Sequence, residues 1–233
     1  MTRDEVMAAL ASEGKEQTRK TYRRHGMPEP MFGVSYAFLG TLKKRIKVDH
    51  ALALALWATD NGDARALAPM IADAKVATRD EVEAWVRSVR WAGGAGAVAD
   101  FVARCPFAAA CAEAWTRDDG EWVARAGWQL VALDAGRDDD RPDAAFRPWL
   151  ARVEAEVHAA KNRVRDAMMG ALIAIGGRND GLAEEAIAAA QRIGHVEVDH
   201  GDTACETPDP VAYVRKVRAH KAAKAARALA KAK

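Results

Sequence analysis

Apolar residues recur every three or four positions along most of the chain, the spacing that lines one face of an α-helix. Thr2 with Glu5 has the form of a capping box, and the helical pattern it opens runs to about Arg24. His25-Gly26-Met27-Pro28-Glu29-Pro30 breaks that pattern. Ser35 then precedes a helix bearing Phe38, Leu39, Leu42 and Ile46, with Lys43, Lys44, Arg45 and Lys47 on its other faces. Further helices are expected over about 49–59, 62–73, 78–90, 95–104, 106–116, 119–135, 143–158, 162–176 and 180–193. Asp49, Thr78, Asp143 and Asn162 are suitable starts, and Pro106 fits a first turn. Only Val196-Glu197-Val198 alternates as a strand would.

The short connections suit antiparallel helical pairs. A weak repeat supports stacking of such pairs: Trp57-Ala-Thr-Asp60-Asn61-Gly62 matches Trp115-Thr-Arg-Asp118-Asp119-Gly120, and Asn179-Asp180-Gly181 repeats the turn without the Trp. The separations of 58 and 61 residues leave room for two hairpins between signatures. An all-α solenoid of HEAT-like antiparallel hairpins accounts for this pattern best. A compact orthogonal bundle is the alternative architecture. Pro208 and Pro210 divide the chain into a repeat domain, 1–207, and a C-terminal tail, 208–233.

Composition narrows the class. Half of the 233 residues are hydrophobic, but only 6% are aromatic, which favours closely packed helices over a β-sandwich. The longest apolar run, Ala51–Ala58, is far short of the ~20 residues that span a bilayer, so no membrane partner is expected. Met1–Glu5 lacks the cationic start and apolar stretch of a secretory signal. Three cysteines, Cys105, Cys111 and Cys205, make neither a disulfide framework nor a CxxC pair, and a cytoplasmic location is expected.

Charge is unevenly distributed. Residues 215–233 hold eight Lys or Arg and no acid, leaving 27 basic against 33 acidic residues, a net of −6, for residues 1–214. A basic tail on a mildly acidic body points to a polyanion, most often nucleic acid. Arg218, Lys221, Lys224 and Arg227 recur every three residues, so their charge spirals around a helix rather than forming one stripe. The tail is either a docked helix or an arm that folds on its polyanion. Lys43 and Lys44, and Arg163 and Arg165 with Lys161, are further candidates for nucleic-acid contact; a solvated helix face is the ordinary alternative.

The stretch from Asp49 to Asp73 resembles the DNA alkylation repair family of HEAT-like-repeat proteins. An apolar helix ends in Leu56-Trp57, and after a short turn the next carries Asp63-Ala64-Arg65. The likeness continues through Glu121–Trp128 and Asn162–Ala167 and covers about 15–195. It implies a right-handed α-solenoid that grips duplex DNA and needs no cofactor or metal; a monomer is expected. Active members excise N3- or N7-alkylated purines as DNA glycosylases. Their substrate already carries positive charge, so a carboxylate need only stabilise the cationic sugar, with aromatic faces near the lesion adding a cation–π term.

By this resemblance the catalytic aspartate is Asp100, and the arginine that contacts the DNA backbone is Arg125. The family tryptophan four residues before the aspartate corresponds to Gly96. A second site tryptophan corresponds to Gly170, and the arginine three residues later to Ile173. Trp91, beside the run Gly93-Gly94-Ala95-Gly96, is a candidate for base contact. Asp100 is otherwise a capping or ion-paired acid, and Arg125 a partner for Asp118, Asp119 or Glu121. Trp57, Trp85, Trp115, Trp122 and Trp128 read mostly as core. His195–Glu206 concentrates metal-capable side chains in a spacing that matches no known site. Two functions follow: an alkylpurine DNA glycosylase using Asp100, or a non-catalytic scaffold that binds nucleic acid or protein. No particular protein partner is indicated.

Overall fold

A computed structural model of the chain describes residues 1–137, 139 and 141–231, with side-chain positions up to 227. The described residues form α-helices, two short 3-10 turns and no strand. They divide into two compact units, Met1–Leu130 with His200–Ala204, and Val131–Asp199 with the chain from Cys205 onward.

The first unit begins with α1 (Arg3–Glu13), closed by the Thr2–Glu5 capping box, and α2 (Glu16–Arg24). The single helix expected up to Arg24 is therefore two. Gly14 separates them, where a Cβ would lie 2.6 Å from the Phe32 carbonyl oxygen, so the chain turns at the one residue that admits this approach. Next come α3 (Tyr36–Ile46), α4 (His50–Trp57), α5 (Gly62–Ile71), α6 (Arg79–Ser88), α7 (Ala92–Val102), α8 (Ala108–Trp115) and α9 (Glu121–Ala135), the last running on into the second unit.

Side chains cap some of the starts that the sequence marks, whereas Asp143 opens a 3-10 turn ahead of α10 and Asn162 is the first residue of α11 rather than its cap. Asp49 accepts from Leu52 N–H, Thr78 from Glu81 N–H, and Asn61 from the N–H groups of Asp63 and Ala64. Consecutive helices α4 and α5 pack together, and α5 packs on α3 and α7. Trp57 stacks on Trp85 at 4.5 Å and 11°, with Phe101 tilted 5.7 Å beyond. Two indole N–H groups are paired across helices: Trp57 donates to Ser88 at 3.2 Å and Trp115 to Glu83 at 2.6 Å.

The second unit contains α10 (Arg147–Glu156), α11 (Asn162–Gly176), α12 (Asp180–Ile193) and α13 (Pro210–Lys231). Asn179 caps α12, repeating the Asn61 turn. The proximal turns of α13 pack on α11 and α12. Val214 is buried there, and Cβ atoms at Gly176 or Gly177 would come within 2.9 Å of Val214 or Val217. Residues 219–227 are all exposed. Val196–Val198 forms no strand.

Candidate nucleic-acid interface

The loop entering α3 is held from the opposite helix. Asp63, the second residue of α5, is completely buried, and its carboxylate accepts the N–H groups of Phe32, Gly33 and Val34 at 2.6, 3.0 and 2.8 Å. Gly33 adopts φ +82°, where a side chain would also meet Arg19 and Lys15. The Tyr22 hydroxyl donates to the Val34 carbonyl at 2.8 Å. These contacts fix the start of α3, where Ser35 accepts from Phe38 N–H.

The first side chain of that helix is Tyr36, 52% exposed, packed edge-on against Tyr22 at 6.2 Å. Positions 36, 40 and 43 share a helical face. Gly40 has open space where a Cβ would stand, and Lys43 and Lys44 are exposed beyond it. Among the described residues, Lys43, Lys44, Arg45 and Lys47 form no ion pair, and the same holds for Lys15, Lys20 and Arg24. Glu16 and Glu29 instead bind Arg19 and Arg23. Residues 15–47 contain nine Lys or Arg and two acids, a net of +7. The sequence carries that signal plainly, but the net of −6 over the whole body averages it away.

Helix α7 supplies a second surface. Trp91, expected to contact a base, is only 3% exposed. Its indole lies where a Cβ on Gly94 would stand, 2.7 Å from the ring. The glycine run thus makes room for the tryptophan instead of freeing it, leaving no open ring face for stacking. Gly93, Gly96 and Asp100 recur along the less buried side of α7. At Gly96 a Cβ would meet only the Arg125 Nη1, 3.9 Å away, whereas at Gly93 it would lie 3.2 Å from the Trp91 Nε1 and 3.9 Å from the Tyr36 hydroxyl.

Asp100 and Arg125 are therefore neighbours of one glycine surface. Asp100 is exposed, yet partial burial raises its pKa against the opposing charge of Arg104. Arg104 itself donates to the Pro69 carbonyl at 2.9 Å. The Arg125 Nε and Nη1 atoms are buried. Burial also raises the pKa of Tyr36, and the Asp63 and Asp100 carboxylates add to the rise.

In the second unit, Arg165 is already committed: it donates to the carbonyls of Ala160, His158 and Glu197 at 2.8, 3.2 and 3.3 Å. Arg218 binds the Asp180 carboxylate and the Arg178 carbonyl. Both were expected to face nucleic acid, and in the structure both are engaged in holding the fold. Arg163 is half-buried on α11, whereas Lys221 and Lys224 are exposed on α13 and form no ion pair among the described residues. Gly170 has nothing within 4 Å of its Cβ position. In the metal-capable stretch, Asn162 and Asp199 exchange two 2.7 Å hydrogen bonds. Among the described residues no group of three or more His, Cys, Asp or Glu could hold a metal ion, and no helix is long and apolar enough to cross a membrane.

A stack of helical hairpins with uncompensated cations on its surface defines an all-helical, HEAT-like repeat protein. Residues 6–207 match the family model described as DNA alkylation repair enzyme, and the chain belongs to that family. Proteins of Listeria monocytogenes and Listeria innocua, both uncharacterized, are each 28% identical over 224 residues, covering 94% of this chain and 98% of the relative. One solved structure superposes with a TM-score of 0.86 at 27% identity, covering 93% of each chain. It represents a family of proteins related to the HEAT-like repeat DNA glycosylases with affinity for branched DNA structures.

Proposed function

We propose that the chain binds DNA at branches or other interruptions of the duplex and does not excise bases. The observation that carries this reading is Gly96. It stands where the family resemblance calls for a tryptophan, and only the Arg125 Nη1 comes within 4 Å of its Cβ position. Gly170, the counterpart of the second site tryptophan, faces open space as well. An alkylated purine would find the Asp100 carboxylate without the paired aromatic faces that favour its positive charge.

Lys43, Lys44 and Arg125 in the first unit, and Lys221 and Lys224 on α13, supply the cations for phosphate contact. Neutralising about five phosphates gives a slope of roughly −4 to −5 in log affinity against log salt. The branched-DNA affinity of the structurally similar family supports this geometry of partner.

The test pairs two measurements on the full chain: salt-dependent binding to a four-way junction against a linear duplex, and single-turnover release of 7-methylguanine from methylated duplex. Tighter junction binding without release is the expected result. Release that Asp100→Asn abolishes would overturn it and establish a glycosylase.

A further inference from the structure

Tyr36, Gly93, Gly96 and Asp100 form a surface suited to more than phosphate. The tyrosine ring is half exposed at the first turn of α3, and its hydroxyl reaches to within 3.9 Å of the Gly93 Cβ position. Gly96 leaves the backbone of α7 uncovered on that side, beyond the edge of the Trp91 indole, which lies 3.2 Å from the Gly93 Cβ position. A floor of bare helix backbone at Gly96 and indole edge at Gly93, next to an exposed aromatic ring, fits a planar heterocycle. Asp100, on the same helix, has the wrong sign for phosphate and accepts hydrogen bonds only, so the group that meets it must donate.

The Watson–Crick edges of the bases differ in what they offer a carboxylate. Guanine presents N1–H and N2–H side by side, two donors that match two carboxylate oxygens as a guanidinium fork does. Cytosine and adenine each present one amino group, and thymine places its single N–H between two carbonyl oxygens that repel the carboxylate. In an intact duplex this edge is occupied by the partner base, and only a bulge, fork or branch exposes it.

We infer that this surface holds an unpaired guanine, with Tyr36 against the base and Asp100 accepting from N1–H and N2–H. The inference rests on the proposed binding of interrupted duplexes and names the feature recognised there. Lys43, on the Tyr36 face of α3, and Arg125, beside Gly96, supply positive charge for the flanking phosphates.

The experiment measures binding of the full chain to four duplexes that differ only in one bulged nucleotide, dG, dC, dA or dT, by fluorescence anisotropy at neutral pH. The dG bulge binds about tenfold tighter than dT, with dC and dA between. Asp100→Asn brings the four together, because an amide both donates and accepts. Tyr36→Ala weakens the bulged DNAs more than the uninterrupted duplex, and Tyr36→Phe, which keeps the ring and the fold, retains bulge binding. Equal wild-type affinity for all four bulges, or an unchanged ranking in Asp100→Asn, overturns the guanine preference. If binding to duplex and junction remains salt-dependent in that case, the proposed function stands without it. Loss of all salt-dependent DNA binding overturns both.

Discussion

The guanidinium of Arg218 is bound to the carboxylate of Asp180, its Nε and Nη2 lying 3.0 and 2.5 Å from one oxygen. Its remaining nitrogen donates to the Arg178 carbonyl. With Val214 and Val217 packed at Gly176 and Gly177, this pair ties the proximal part of α13 to the second unit.

Two variants separate docking from DNA contact. Arg218→Ala costs about 0–1 kcal/mol, the range for a solvent-exposed pair, and speeds amide exchange along α13. Replacing Lys221 and Lys224 together by alanine leaves stability unchanged and reduces the salt slope of DNA binding by about 2. Thermal melts and a salt titration read both.

Glycine substitutions report where space exists. Gly170→Ala and Gly40→Ala place a methyl in open space within helices and stabilise by about 0.4–1 kcal/mol. Gly94→Ala drives the same methyl to 2.7 Å from the Trp91 ring and destabilises by about 1–3 kcal/mol. Urea denaturation distinguishes the signs.

Asp63→Asn keeps the shape of the side chain but turns one acceptor into a donor aimed at backbone N–H groups. The buried hydrogen bonds to Phe32, Gly33 and Val34 cannot all survive. A loss of about 2–4 kcal/mol is expected, measured by chemical denaturation.

Acid weakens the second unit in a defined window. Arg141 and Arg178 hold the Asp139 carboxyl far below the ordinary carboxylate range. A depressed folded-state pKa contributes stability that is present above the unfolded value, near ~3.9, and is lost as pH falls through the folded value. Glu154 and Glu185, lowered by hydrogen bonds from Arg192 and Arg147, act in the same direction. Melting temperature should therefore drop between about pH 5 and pH 2, and less steeply in Asp139→Asn.

Much of the helical layout is readable from the chain because its signals are local. Thr2, Asp49, Asn61, Thr78 and Asn179 cap the helices that follow them through contacts within three residues. The break at Gly14 is not readable in this way, since it arises from Phe32, distant in sequence. The same holds for Arg165 and Arg218, whose charge is visible in the sequence but whose carbonyl and carboxylate partners lie up to 40 residues away. Trp91 misleads for another reason. A glycine run reads as exposed, flexible chain, whereas here it is the hollow into which the indole fits. Asp100 and Arg125 could be named from family likeness, but not Tyr36, whose approach to Gly93 depends on how α3 and α7 lie.

The anchoring of the α3 loop by Asp63 has a consequence for genetics. On the proposed reading, a screen for variants that lose DNA binding returns Asp63 and Trp91 together with Tyr36, although neither buried residue presents a surface to the ligand. Rescue would tell them apart: a second-site mutation elsewhere in the core that raises overall stability restores the first two and not the third.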